Sequence, residues 1–121
     1  MRKLFVTITT FVSMLIFSSP TGAHYDPGFH NIKHAINLHF CGKAIKNCKY
    51  GRQAMGVVWC ESRYDTKAQN GQYLGLFQMG SWERDRFGHG SSPFAQAKAA
   101  HKYWVLTGRD WSPWACQWAA Y

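Results

Sequence analysis

Apolar residues recur at helical spacing along most of this chain, and breaks in that spacing divide it into segments. At the amino end an apolar run over 4–17 follows Arg2 and Lys3 and precedes Thr21-Gly22-Ala23. A basic start, an apolar stretch and a small-residue exit are the three parts of a secretory leader, which predicts cleavage after residue 23. A retained membrane anchor is the alternative. The run is broken by Thr7, Thr9, Thr10 and Ser13 and falls short of the roughly 20 apolar residues that a spanning helix needs. Asp26-Pro27 then offers a helix cap followed by proline at the first helical position. Ile32, Ala35, Ile36, His39 and Phe40 repeat three and four apart behind it, and Cys41-Gly42 ends this first helix.

The segment over 42–51 reads as a turn or short helix, and a second helix is predicted over 52–62. Ala54, Val57, Val58 and Glu61 share one face of that helix, so a carboxylate stands at the end of an apolar stripe. The ordinary outcome for such a glutamate is to turn aside into solvent. Held on the stripe, it would be desolvated, which favours the protonated acid. A carboxylic acid that keeps its proton near neutral pH is what glycoside cleavage requires of its proton donor.

After a polar loop over 64–69, Asn70-Gly71 predicts a hairpin turn, because the favoured two-residue turns need positive φ. One or two short strands over 72–79 follow, with Gly75 where a backbone or ligand approaches closely. Ser81 is expected to cap a brief helix over 82–87 that stops at Gly88. Ser92-Pro93 opens a helix over 93–107, with Phe94, Ala97, Ala100, Tyr103 and Trp104 as its apolar face and Gly108 as its stop. The tail from Trp111 to Cys116 is aromatic and irregular. The whole reads as one α+β, mainly α domain over 24–121 with a small β-hairpin.

Cysteine usage adds covalent constraint. Cys41, Cys48, Cys60 and Cys116 in an exported chain point to disulfides, which small domains need most. Of three possible pairings, Cys41–Cys48 is expected as a local clip and Cys60–Cys116 as a long staple. Zinc is the competing use, with His30, His34 and His39 nearby. Without a Cys-x-x-Cys or His-Glu-x-x-His arrangement, a histidine-rich helix face is the better reading, and neither metal nor cofactor is expected.

The formal net charge is +8, to which the leader contributes Arg2 and Lys3. The remaining basic residues are scattered, none adjacent to another. That argues against a dedicated nucleic-acid reader and for attraction to a polyanionic surrounding such as a wall. Of the six tryptophans, Trp59 and Trp104 are expected in the core. Trp82, Trp111 and Trp114 are candidates for stacking on sugar faces, and Tyr73 for either role.

Taken in order, Cys60-Glu61-Ser62, Asn70-Gly71-Gln72-Tyr73-Leu74-Gly75-Leu76-Phe77-Gln78-Met79 and Gly108-Arg109-Asp110-Trp111-Ser112-Pro113-Trp114-Ala115-Cys116 resemble the lysozyme-like superfamily. The nearest branches are soluble lytic transglycosylases and resuscitation-promoting factors, with goose-type lysozyme more distant. The likeness spans about 52–116, and the region over 24–50 lies outside it. It implies a helical lysozyme-like domain with a hairpin and a glycan-binding groove, Glu61 as catalytic acid, and Ser62, Tyr73 and Gln78 as substrate-positioning residues. It also implies the Cys60–Cys116 staple.

The activity so implied is cleavage of the β-1,4 bond between N-acetylmuramic acid and N-acetylglucosamine by a secreted, wall-associated monomer. No other acid stands out as a partner for Glu61. Asp65 lies past the helix end, Glu83 and Asp85 alternate with Arg84 and Arg86 on what reads as a solvated face, and Asp110 caps a turn. A single acid fits lytic transglycosylation, in which the muramoyl 6-hydroxyl attacks and leaves a 1,6-anhydro end. Hydrolysis by a muramidase, a non-catalytic glycan-binding module and a small membrane-active cation are the alternatives. No amphipathic cationic helix supports the last, and no stable membrane insertion is expected after leader cleavage.

Overall fold

The computed structural model describes residues 27–45 and 47–121; the leader and the capping role expected of Asp26 lie outside the described residues. The elements are α1 (Pro27–Cys41), α2 (Lys49–Ser62), β1 (Gln69–Asn70), β2 (Tyr73–Leu74), α3 (Ser81–Phe87), α4 (Pro93–Leu106) and a closing 3₁₀ turn, η1 (Gln117–Ala120). The architecture is mainly helical with one small two-stranded antiparallel sheet. No helix among the described residues is long and apolar enough to cross a membrane.

Helix α2 starts three residues earlier than the pattern suggested, because Cys48 is its N-cap: the Cys48 sulfur accepts from the Gly51 N–H. Ser92 caps α4 through its hydroxyl, which accepts from Ala95 N–H at 3.1 Å. In the hairpin, Gln69 pairs with Leu74 and Asn70 with Tyr73. The two central turn residues are therefore Gly71 and Gln72, one position later than expected. Only Gly71 has positive φ, 59°, which is the pattern of a type II′ turn. An isolated bridge between Leu74 and Met79 continues the ladder back toward α3.

Helices α1 and α4 pack together, α1 also packs on α2, and α3 lies against α4. Ile32, Ala35, Ile36 and Phe40 of α1 meet Ala54, Val57 and Val58 of α2 and Ala97, Ala100 and Trp104 of α4 in one core. Phe40 is its aromatic hub, with ring centroids 5.3 Å from Trp104, 5.5 Å from Trp111 and 5.9 Å from Phe77. Each such ring, fully buried, contributes roughly 1.5–3 kcal/mol relative to exposure. Phe94, expected on the buried face of α4, is exposed, and Gln96 takes an interior place instead at 1% exposure. Gln96 is tolerated there because it is fully used. Its Oε1 accepts from Leu76 N–H at 2.8 Å and its Nε2 donates to Thr66 O at 3.0 Å.

Two disulfides close the molecule, Cys41–Cys48 and Cys60–Cys116. The second ties the last turn of α2 to the tail. At Gly56 the tail's η1 comes so near α2 that a Cβ would fall 2.0 Å from Ala119 O. Glycine in mid-helix, ordinarily unfavourable, here permits the C-terminus to close over the helix that carries Glu61.

Candidate active site

Helix α2 delivers Glu61 one turn beyond Val57 and Val58, both fully buried. Its carboxyl is half-buried and opens into a cavity of about 270 Å³. The hairpin contributes Asn70 and Tyr73 to the walls, the segment behind it Gln78, Met79 and Gly80, α3 Glu83, α4 Tyr103, and the tail Pro113, Trp114 and Ala115. The site thus draws on nearly every element of the second half of the chain.

Two influences act on Glu61. Burial pushes its pKa above the ordinary glutamate value, and the Cys116 backbone N–H, donating to Oε1 at 3.0 Å, pulls it down. Burial is the larger, so the net shift is upward and favours the protonated acid. That N–H belongs to the half-cystine bonded to Cys60, so the disulfide fixes the group that orients the acid.

Tyr73 is exposed on the hairpin and faces the cavity. Trp114 is 5% exposed and shows part of its surface to the cavity, while its indole N–H donates to Phe77 O at 3.1 Å. Gln78 lines the cavity too, but its amide nitrogen is committed to Ala68 O and Gly75 O, both at 2.9 Å. Gln78 itself has φ of 46°, a conformation that costs a non-glycine residue about 1 kcal/mol or more. It holds the loop wall in shape. Gly75, at φ 83°, is needed for close approach as expected, although what approaches is the Gln96 carboxamide, 2.6 Å from where a Cβ would stand.

Four expectations are corrected. Trp111 is fully buried, its N–H donating to Gln53 Oε1 at 3.0 Å, and it is core rather than groove wall. Trp82 is 59% exposed, beneath the Arg86 guanidinium and edge-on to Phe87, and does not line the cavity. Ser62 is buried and turns back on its own helix, donating to Val58 O at 3.0 Å, as a serine in a last helical turn readily does. Trp59 was expected in the core but is 45% exposed, with Arg63 stacked on it at 3.6 Å. One residue past Val58 is about 100° around the helix, which carries Trp59 off the stripe that holds Glu61.

Sequence reasoning also misjudged Glu83. Glu83 is not on a solvated face: it is half-buried and lines the same cavity as Glu61, while Asp65, Asp85 and Asp110 are exposed. Phe87 held the clue, since residues four apart share a helix face and Phe87 packs on Tyr103 at 5.5 Å. Tyr103 lines the cavity, and burial, then the nearby Glu83 charge, pushes the pKa of its hydroxyl upward. Asp110 caps its own turn, accepting from Ser112 N–H and Oγ–H. No group of three or more histidine, cysteine, aspartate or glutamate side chains placed to hold a metal ion occurs among the described residues.

No family model matches the chain, and comparisons with curated proteins and with solved structures return no match.

Proposed function

We propose that this protein cleaves glycan strands of peptidoglycan at the β-1,4 bond between N-acetylmuramic acid and N-acetylglucosamine, with Glu61 as the proton donor. One observation carries the reading. A glutamate biased by burial toward its neutral form opens into a cavity flanked by an exposed tyrosine and a tryptophan. General acid catalysis from such a position supplies roughly 10²–10⁴-fold in rate, and orientation of the strand against the hairpin supplies more. The ordered likeness of Glu61-Ser62, Gly75-Leu76-Phe77-Gln78 and the Trp-rich tail to lysozyme-like enzymes supports the same chemistry. Export to a wall fits the two disulfides, the leader-like start and the positive charge.

In the bond-breaking step Glu61 gives its proton to the bridging oxygen as the C1–O bond opens with oxocarbenium character. Attack by the muramoyl 6-hydroxyl would leave a 1,6-anhydro end, and attack by water a reducing end. The sequence favours the first route only because it shows no partner carboxylate. Glu83 in the cavity favours the second.

Digestion of purified sacculi followed by mass spectrometry of the released fragments tests the reading. The expected result is soluble disaccharide-peptides cut at the muramic acid linkage. Sedimentation with sacculi and no released fragment would instead make the chain a binding module. Leakage from anionic lipid vesicles without fragment release would make it a membrane-active cation.

A further inference from the structure

Glu83 is the one described acid besides Glu61 that is withdrawn from solvent into this cavity, and nothing in the single-acid scheme uses it. Its arginine neighbours are engaged elsewhere. The Arg84 guanidinium donates to the carbonyls of Gln72 and Met79, and Arg86 lies over the rings of Trp82 and Phe87. The carboxylate lies along Gly80, where a Cβ would stand 2.6 Å from Glu83 Oε2, so the glycine leaves the space it occupies. Tyr103, the adjoining wall, packs on Trp114 at 5.1 Å, and Trp114 belongs to the tail whose Cys116 N–H holds Glu61. The two carboxyl groups therefore line one cavity from different elements, Glu61 from α2 and Glu83 from α3.

Building on the glycan-cleavage reading, we propose that Glu83 is the general base that activates a water molecule, making this protein a hydrolase rather than a transglycosylase. Glu61 protonates the bridging oxygen, and the C1–O bond breaks with its electron pair leaving on that oxygen. The water oxygen bonds to C1 while Glu83 takes the water's proton. Glu61 ends ionised and Glu83 protonated, and exchange with solvent restores both. Inverting glycosidases work with one carboxyl group as acid and a second that activates a water on the opposite face of the sugar. Tyr103 lines the same cavity and offers a hydroxyl to it.

The test compares wild type, Glu83→Gln and Glu83→Ala on purified sacculi, with mass spectrometry of the fragment ends. Wild type is expected to give reducing ends, and Glu83→Gln to release them at least about 100-fold more slowly, the lower range for a general base. Glutamine keeps the size of Glu83 and its packing along Gly80, so a purely structural role predicts a near-normal rate for it. Azide added to Glu83→Ala is expected to restore cleavage partly and to yield a glycosyl azide, which a structural role would not produce. The proposal is overturned by 1,6-anhydro ends from wild type, or by Glu83→Gln keeping within about threefold of the wild-type rate. A wild type that cleaves while Glu83→Gln keeps pace removes only the role of Glu83. A wild type that releases nothing removes the glycan-cleavage reading with it.

Discussion

A carboxyl group whose pKa is raised by burial is a burden on the fold that carries it once it ionises. Glu61's pKa is raised on folding by burial, against the pull of the Cys116 N–H, so the folded chain binds that proton more tightly than the unfolded chain does. Its contribution to stability is fully present below the unfolded value of about 4.3 and is lost as pH rises through the folded value. Glu61→Gln keeps the oxygen that accepts from Cys116 and removes the charge. The variant is expected to melt above wild type at pH 8 and with it at pH 4; equal melting temperatures at both would show that the site imposes no such cost. Glu61 was legible in the sequence because three apolar residues at helical spacing led up to it. Ser62 and Trp59, its neighbours, were not. Each lies about 100° further round or short of a face, and a spacing argument resolves a stripe better than its margins.

At the scale of elements, the helices and the hairpin were legible to within a few residues because Ser92 and the turn glycines mark their ends, whereas Ser81, expected as a cap, is the first residue of α3 and Gly80 is its N-cap. Faces of short elements were not. Seven residues of α3 carry too few apolar positions to define a direction, so Glu83 was grouped with the charges around it, although its partner Phe87 points the same way. Trp111 and Trp114 are three residues apart in an irregular tail, both buried, and no periodicity tells which of them borders the cavity.

The seam between α1 and α4 adds a pH dependence of its own. His39 is held below the ordinary histidine value by burial and by Lys98, and His101 by burial, then by His39 and Arg109. His101 packs edge-on against Phe40 at 5.1 Å, so protonation would place charge against the aromatic hub. Histidines depressed in this way leave stability intact above about 6.5 and erode it as pH falls from there through the folded values. The urea midpoint should therefore drop between pH 7 and 5, and His39→Gln with His101→Gln should flatten that drop. An unchanged slope in the double variant would place the sensitivity elsewhere, with His89 the next group, itself lowered by burial and by Arg84.

Across the whole molecule, one covalent bond serves stability and site geometry together. The Cys60–Cys116 loop separates its ends by 56 residues, and its loss is expected to cost about 4 kcal/mol in the loop-entropy account. Replacing both cysteines by serine should also slow cleavage where the protein is still folded, since the N–H that orients Glu61 would no longer be held. Replacing Cys41 and Cys48 removes a seven-residue separation remote from the cavity, and should cost stability, roughly 2–3 kcal/mol, without that loss of rate. Equal rates in the two variants under folding conditions would separate the staple from the site. The pairing was inferable because four cysteines allow only three pairings and the likeness of the motifs favoured Cys60–Cys116. The second carboxylate was not, because it depends on how α3 is turned against α4 and the tail.

All of this rests on Glu61 as the acid that protonates the bridging oxygen, and the most direct measurement is the rate at which Glu61→Gln releases fragments from purified sacculi. Glutamine preserves size and the hydrogen bond from Cys116 but has no proton to give. A fall of at least about 100-fold in a variant whose fold and sacculus binding match wild type is the predicted result. Release at the wild-type rate would contradict it.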